Sequence, residues 1–280
     1  MCILFTAINQ HPNYPVIICA NRDEFHQRPT KTMHLWKSKT DDEHIIAGKD
    51  LQAGGTWLGI NASPMVDAAE RISFSALTNY RLGKAQTDTD NFSSRGELVT
   101  KALRQKPAQL LAYLSMHAND YQGFNLIYGQ LCPESTALYC FDSVKKKETQ
   151  LHDGFHSICN GALDDIWPKM AAGQNKLKQY VTQEKALNVD YLMSLMQNTT
   201  QAPGHLLPNT GVPLDWEQRL SSIFIVSPEY GTRSTCVLLM NNQGDVSIYQ
   251  QEYNALGQVF NTNHFAVSAS THAFKNTNNQ

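Results

Sequence analysis

The order of elements in the sequence predicts an α+β or layered α/β fold, and two antiparallel sheets packed together with helices outside them suit that order. Three observations lead there. Short apolar runs punctuated by turn formers fill the N-terminal third, helical spacing dominates two central stretches, and the chain ends in strands. No segment repeats and no linker interrupts the pattern, so one domain over 1–272 is expected, followed by a disordered tail at 273–280.

Taken in order, "CILFTAI" (2–8) and "PVIICAN" (15–21) flank the turn-rich "NQHPNY" and read as a hairpin. "MHLWKS" (33–38), "HIIAG" (44–48), "TWLGIN" (56–61) and "ISFSALTNY" (72–80) continue as strands, with Gly54 and Gly55 forming a turn before Trp57. Ser93 and Ser94 supply an N-cap for a helix over 95–105, and Pro107 opens a second helix over 107–118. Strands return at 123–129, 136–143 and 155–161, with "KKK" (145–147) a solvated hairpin tip. Helical spacing covers 167–181 and 189–198, and a Pro/Gly-punctuated loop follows over 199–215. The segments 221–227, 231–240 and 244–253 read as closing strands.

Composition narrows the function classes. The 280 residues are 41% hydrophobic and 17% charged, enough to bury a sizeable core. A net charge of -2, from 23 basic and 25 acidic residues, gives no electrostatic footprint for nucleic acid. The first apolar run is too short for a signal sequence or a membrane span. The six cysteines, at 2, 19, 132, 140, 159 and 236, show no C-x-x-C spacing, so reduced core thiols in a cytoplasmic protein are expected.

One cysteine stands apart by position. Cys2 follows Met1, and removal of Met1 would give Cys2 both a thiol and a free α-amine, the minimum equipment of an N-terminal nucleophile. If residues 9 and 15 face each other across the first turn, paired positions sum to 24 and Cys2 lies opposite Arg22. A guanidinium there favours thiolate, and Asp23 or Glu24 would compensate it or hold the amine. Asn79 and Asn160 each end a strand and offer neutral amide donors for an oxyanion, and Arg233 opens a late strand.

Together "MCILFTAI…ANRDEF", "GGTWLGI", "ALTNYR", "CNGALDDIWPK" and "GTRSTCVLL" resemble the NRDE family, also called the transport and Golgi organisation protein 2 family. The resemblance runs in order from Met1 to about residue 250. It implies the fold of N-terminal nucleophile hydrolases, an α+β four-layer αββα sandwich of two antiparallel sheets, related in outline to choloylglycine hydrolases and penicillin V acylases. By that resemblance Cys2 is the nucleophile and Arg22 its neighbour. Asn79 and Asn160 are the oxyanion and amine-orienting amides, and Arg233 is the late basic residue. Those hydrolases place an aspartate a few residues after the arginine. Here Asp23 is adjacent, so strand alternation turns it to the other face, and Glu24 is the alternative.

The family is also associated with intracellular haem trafficking and acyl-coenzyme A homeostasis. The expectation is therefore a carrier of a small amphipathic ligand, haem or an acyl-containing molecule, bound as cargo with no catalytic metal. Asn21, Arg22, Trp57, His26 and His156 are the expected ligand-binding residues, and Cys2, His26 and His156 the candidate iron ligands. The alternative is an amidohydrolase working through a Cys2 acyl-enzyme. The carrier predicts stoichiometric binding, and the hydrolase predicts obligatory loss of Met1.

Overall fold

The computed structural model describes residues 2–36, 44–62, 72–81, 92–163, 165–269 and 274–276. Strands β1 (Cys2–Ile8) and β2 (Val16–Phe25) form the expected hairpin, in the expected register: Cys2 pairs with Arg22 and Ile8 with Val16. Asn9, at φ 53°, lets the turn close onto Pro15 through a 2.8 Å N–H···O bond. Strands β3 (Thr30–Leu35), β4 (Ile45–Asp50), β5 (Leu58–Asn61), β6 (Ile72–Asn79), β7 (Phe124–Leu131), β8 (Ala137–Asp142) and β9 (Lys147–Leu151) follow in chain order as one seven-stranded sheet.

The other seven-stranded sheet is assembled from both ends of the chain. Besides the first hairpin it holds β10 (Gly154–Ile158), β11 (Tyr230–Met240), β12 (Val246–Tyr253), β13 (Val259–Val267) and β14 (Phe274–Asn276), in the order β10-β1-β2-β11-β12-β13-β14. Every pairing in both sheets is antiparallel.

Alternation along each strand decides what packs where. Leu4, Ile8, Ile18 and Ala20 face the second sheet, meeting Phe74, Ile60 and Ile127 in the inter-sheet core. Ile3, Phe5, Ile17 and Cys19 face outward and are covered by Met170 and Leu177 of α3 (Pro168–Gln183) and Leu192 of α4 (Val189–Leu195). The second sheet's outer face is covered by α1 (Gly96–Arg104) and α2 (Pro107–His117), whose Leu98, Leu103, Leu110 and Leu114 pack on Phe124 and Leu126. Each fully buried side chain of this kind contributes about 1.5–3 kcal/mol. Pro107 and Pro168 each start a helix where the missing N–H costs nothing, and Asn188 caps α4 with its side chain.

Four expectations need correction. Segment 221–227 is no strand: Ile223 and Ile225 are buried, but the backbone bends, and Phe224 N–H bonds the Asn198 carbonyl at 2.9 Å instead of a ladder partner. A short helix α5 (Leu214–Arg219) ends the Pro/Gly loop, and β13, with its polar "NTNH", carried no strand signal. The tail is partly ordered: Phe274–Asn276 pairs with β13, while 270–273 and 277–280 lie outside the described residues. Finally, Ser93 and Ser94 do not cap α1, whose N-cap is Arg95 without a side-chain bond. Cys19, Cys140, Cys159 and Cys236 are buried free thiols, as expected of core cysteines. Among the described residues no helix is long and apolar enough to cross a membrane.

Candidate functional site

At the open end of the β1–β2 hairpin lies a cavity of about 400 Å³ lined from both sheets. Cys2, Arg22, Asp23 and Glu24 form one wall, Leu77 and Asn79 come from β6, and Trp57 precedes β5. The fourth side is the approach to α1, from Phe92 to Gly96. A second cavity of about 260 Å³ adjoins it, sharing Arg22, Thr30, Gly48 and Trp57 and ending at Arg233, Glu252 and Phe260.

The glycines at the turn explain how Trp57 and α1 meet there. Gly54 takes φ +78°, closing the turn onto Asp50, and a Cβ on Gly55 would stand 2.5 Å from the Gly96 backbone. Only a bare glycine lets the start of α1 come this close. The pairing predicts the tight turn, and the indole indeed packs on the inter-sheet core, but Trp57 also lines both cavities.

Cys2 is 8% exposed and points into the larger cavity. Burial pushes its thiol up to about 11, against the opposing pull of Arg22 and of the Asp23 backbone N–H, which donates to the sulfur. Arg22 is 7% exposed and its Nη1 donates to the Thr30 hydroxyl at 3.1 Å. Asp23 directs its carboxylate away, as alternation requires: Oδ1 accepts the Thr232 hydroxyl at 2.7 Å, near Lys169 and Arg81. Burial raises the Asp23 pKa, with those groups opposing. Glu24 faces the cavity, 3.9 Å from Arg28, with its other oxygen accepting the Phe25 N–H.

The two asparagines divide. Asn79 lines the cavity, and its side-chain amide is engaged by no other described residue. Asn160 is not on the lining. The β1–β10 register, in which Leu4 faces Ile158, brings Asn160 opposite Cys2 two residues further on. Its Nδ2 donates to the Asn79 backbone carbonyl at 2.8 Å, so it holds Asn79 in place. Thr78 and Asn125 clasp the same segment, bonding the Cys159 carbonyl at 2.5 and 3.2 Å.

Arg233 is the extra residue of a β-bulge between Thr232 and Ser234. The bulge aims its guanidinium at the carbonyls of Phe25 and His26, at 2.9 and 3.0 Å, so it ties the β2–β3 turn and borders only the smaller cavity. Three expected ligand-binding residues lie elsewhere. Asn21 faces the helices, donating to the carbonyls of Met196 and Ile223. His26 bonds the Ser227 carbonyl and His156 pairs opposite Thr6, bonding the His152 carbonyl; neither lines either cavity. Among the described residues no three His, Cys, Asp or Glu side chains converge in a metal-binding group.

Sequence reading missed Arg28, Lys49 and Arg95, all on the cavity wall. Arg28 follows the "NRDEF" motif closely, and that proximity was the available signal. Arg95 was absorbed into a helix start, and Lys49 into a strand end.

Fold and site define a class: a two-sheet α+β protein with an N-terminal cysteine opposite an arginine at the mouth between its sheets. The family model described as "Transport and Golgi organisation 2" matches residues 1–255, and the chain belongs to that family. It is 27% identical over 269 residues to the "Transport and Golgi organization 2 homolog" of Mus musculus, covering 90% of this chain and 92% of the relative. The human homologue is 28% identical over the same span, and the Drosophila melanogaster protein 22% over 276 residues, 91% and 93% of the two chains.

Proposed function

We propose that this protein handles acyl groups through Cys2, as an N-terminal cysteine hydrolase of an amide or thioester. The observation that carries the reading is Cys2 on the wall of a 400 Å³ cavity, opposite Arg22, with the unengaged amide of Asn79 on the same lining. The layering of helices, sheet, sheet and helices supports an arrangement like that of N-terminal nucleophile hydrolases.

The chemistry follows from the groups present. Once Met1 is removed, the α-amine of Cys2 takes the thiol proton while sulfur attacks the acyl carbonyl carbon. A reference pKa of about 7.7–8.0 suits that amine as a base near neutral pH. The Asn79 amide faces the oxyanion that develops, the proton passes to the departing amine or thiol, and the C–N or C–S bond breaks. Water then attacks the Cys2 thioester, returning the thiol and releasing the acid. Behind Cys2 the buried Asp23 carboxyl accepts the Thr232 hydroxyl, and the charge of Lys169 acts on it from nearby.

Intact-mass spectrometry of the purified protein, before and after incubation with N-acyl amides and acyl thioesters, tests this. The expected result is a chain lacking Met1 that gains an acyl mass on Cys2, and gains none as Cys2→Ala. Retention of Met1 in protein that still turns over ends the free-amine mechanism.

One observation favours a second reading. A thiol held up to about 11 is protonated at neutral pH, which suits a carrier that binds its amphipathic cargo, haem or an acyl compound, without a covalent bond. Among the described residues no histidine lies on the lining, so Cys2 is the one of the three candidate haem ligands that borders the cavity, and it would have to ionise to bind iron. The carrier gives one equivalent of non-covalent ligand and no acyl mass in the same experiment.

A further inference from the structure

Among the described residues, cationic side chains around Cys2 outnumber the acids that neutralise them. Arg28 is taken by Asp50, at 2.7 Å from Nη2 and 2.8 Å from Nε, and by Glu24 at 3.9 Å. Asp23 is turned to Thr232. That leaves Arg22, Lys49 and Arg95 on the lining, and among the described residues none of them has a carboxylate within ion-pair distance. Arg22 spends Nη1 on Thr30 and Arg95 spends Nη1 on the Gly123 carbonyl at 3.1 Å, so each keeps N–H donors that no acceptor among the described residues uses. The hydroxyl residues Ser93 and Ser94 border the same wall.

Cations held in a half-enclosed cavity without counter-charges are costly unless a ligand supplies the charge. Arg95 illustrates this: burial lowers its pKa, while Cys2 and Glu24 act to raise it, which places its guanidinium in the electrostatic reach of the thiol.

We infer that the wall formed by Arg22, Lys49 and Arg95 binds an anionic group, a carboxylate or a phosphate, carried by the molecule that meets Cys2. The substrate class is then an acyl compound with a negative charge close to its reacting carbonyl. This rests on the reading of Cys2 as the reacting group. Arginine suits the task because its planar fork matches the paired oxygens of either anion. Trp57 and Phe260 provide apolar surface in the smaller cavity for the uncharged remainder.

Alkylation of Cys2 by iodoacetate and by iodoacetamide, quantified by peptide mass mapping, tests the assignment without a known substrate. Both reagents form an S–C bond, expel iodide and lose the thiol proton to buffer; they differ in charge. Cys132, half-buried and outside the cavity, is the internal reference. The iodoacetate-to-iodoacetamide rate ratio at Cys2 is expected to exceed that at Cys132 about tenfold. It should fall about fivefold in Arg95→Gln and in Arg22→Gln, and persist in Arg95→Lys, which keeps the charge.

Inorganic phosphate and acetate at matched ionic strength separate the two anions. Protection of Cys2 by phosphate alone assigns a phosphate group, and protection by acetate assigns a carboxylate. Equal ratios at Cys2 and Cys132, a ratio unchanged in both neutral arginine variants, or protection by neither anion overturns the inference while leaving Cys2 a nucleophile. Failure of Cys2 to react with either reagent overturns the nucleophile reading together with the inference.

Discussion

Burial and reactivity pull against each other at Cys2. An acid whose pKa is raised stays protonated in the folded chain to higher pH than in the unfolded one. The unfolded thiol ionises first, so the stability held below its ordinary pKa drains away as pH climbs from about 9 towards about 11. Alkylation by neutral iodoacetamide should follow the same titration, rising about tenfold per pH unit through the neutral and mildly alkaline range and levelling only near 11. A plateau near pH 8 would instead mean that removal of Met1 opens the thiol to its own amine. Asp23 obeys the same sign. Its raised pKa means that ionisation costs folded-state stability once pH passes the carboxylate range, so Asp23→Asn is expected to raise the melting temperature at neutral pH, since an amide oxygen still accepts from Thr232. If that variant also loses acyl transfer, the carboxylate is retained for function at the expense of stability. How much of this was legible in the sequence depended on range. The Cys2–Arg22 pairing came from counting across one short turn, whereas Arg95 and Lys49 reach the cavity from elements whose position is fixed by the sheet sandwich, which no local pattern encodes.

At the level of elements, the outer face of the first hairpin is as demanding as the inner one. Asn21 is fully buried, holding the carbonyls of Met196 and Ile223 at 2.8 and 2.9 Å and accepting the Thr235 hydroxyl at 2.6 Å. It therefore pins the end of α4 and the bent 221–225 segment to β2. Asn21→Ala leaves two buried carbonyls bare and should cost about 2–4 kcal/mol in urea unfolding, without changing the charge selectivity at Cys2. The same site helps account for the misread strand at 221–227: its apolar residues are real core positions, but it meets β11 only through a short bridge at Ile225 and Val226, while Asn21 takes the Ile223 carbonyl. Gly173 makes a similar point about α3. Alanine in a helix interior ordinarily gains about 1 kcal/mol over glycine. Here, however, a Cβ would meet the buried Phe5 ring at 2.2 Å, so Gly173→Ala should destabilise by about 1–3 kcal/mol. A gain on thermal unfolding would mean that α3 rides higher on the sheet than these contacts allow.

For the whole molecule, the question is how a site between the two sheets stays aligned with the α5 region, which lies outside its lining. The Arg81–Glu217 pair joins them: at 2.8 Å, with side chains 5% and 4% exposed, it links the end of β6 to α5. Glu217 also takes the N–H of Thr210, drawing in the loop before α5, and Arg81 stacks on Trp167 at 4.8 Å. The Arg81 backbone N–H bonds the Asn160 carbonyl at 2.9 Å, and Asn160 in turn holds Asn79. The strand end that presents Asn79 to the cavity is thus braced through buried charges from a distant part of the chain. Removing Glu217 takes a carboxylate at 2.8 Å from a buried guanidinium, so Glu217→Ala should cost about 2–3 kcal/mol. Replacing both partners, as Arg81→Met with Glu217→Leu, should recover most of that loss because an apolar pair needs no desolvation. If the pair only stabilises, the double variant will alkylate Cys2 and acquire acyl mass as the parent does. If it aligns the site, folding will recover while acyl transfer stays depressed, because Asn79 has lost the brace that sets its direction. The second result is expected, since the Arg81 guanidinium, held by Glu217, also reaches Asn160 Oδ1 at 3.5 Å, and Asn160 Nδ2 holds the Asn79 carbonyl.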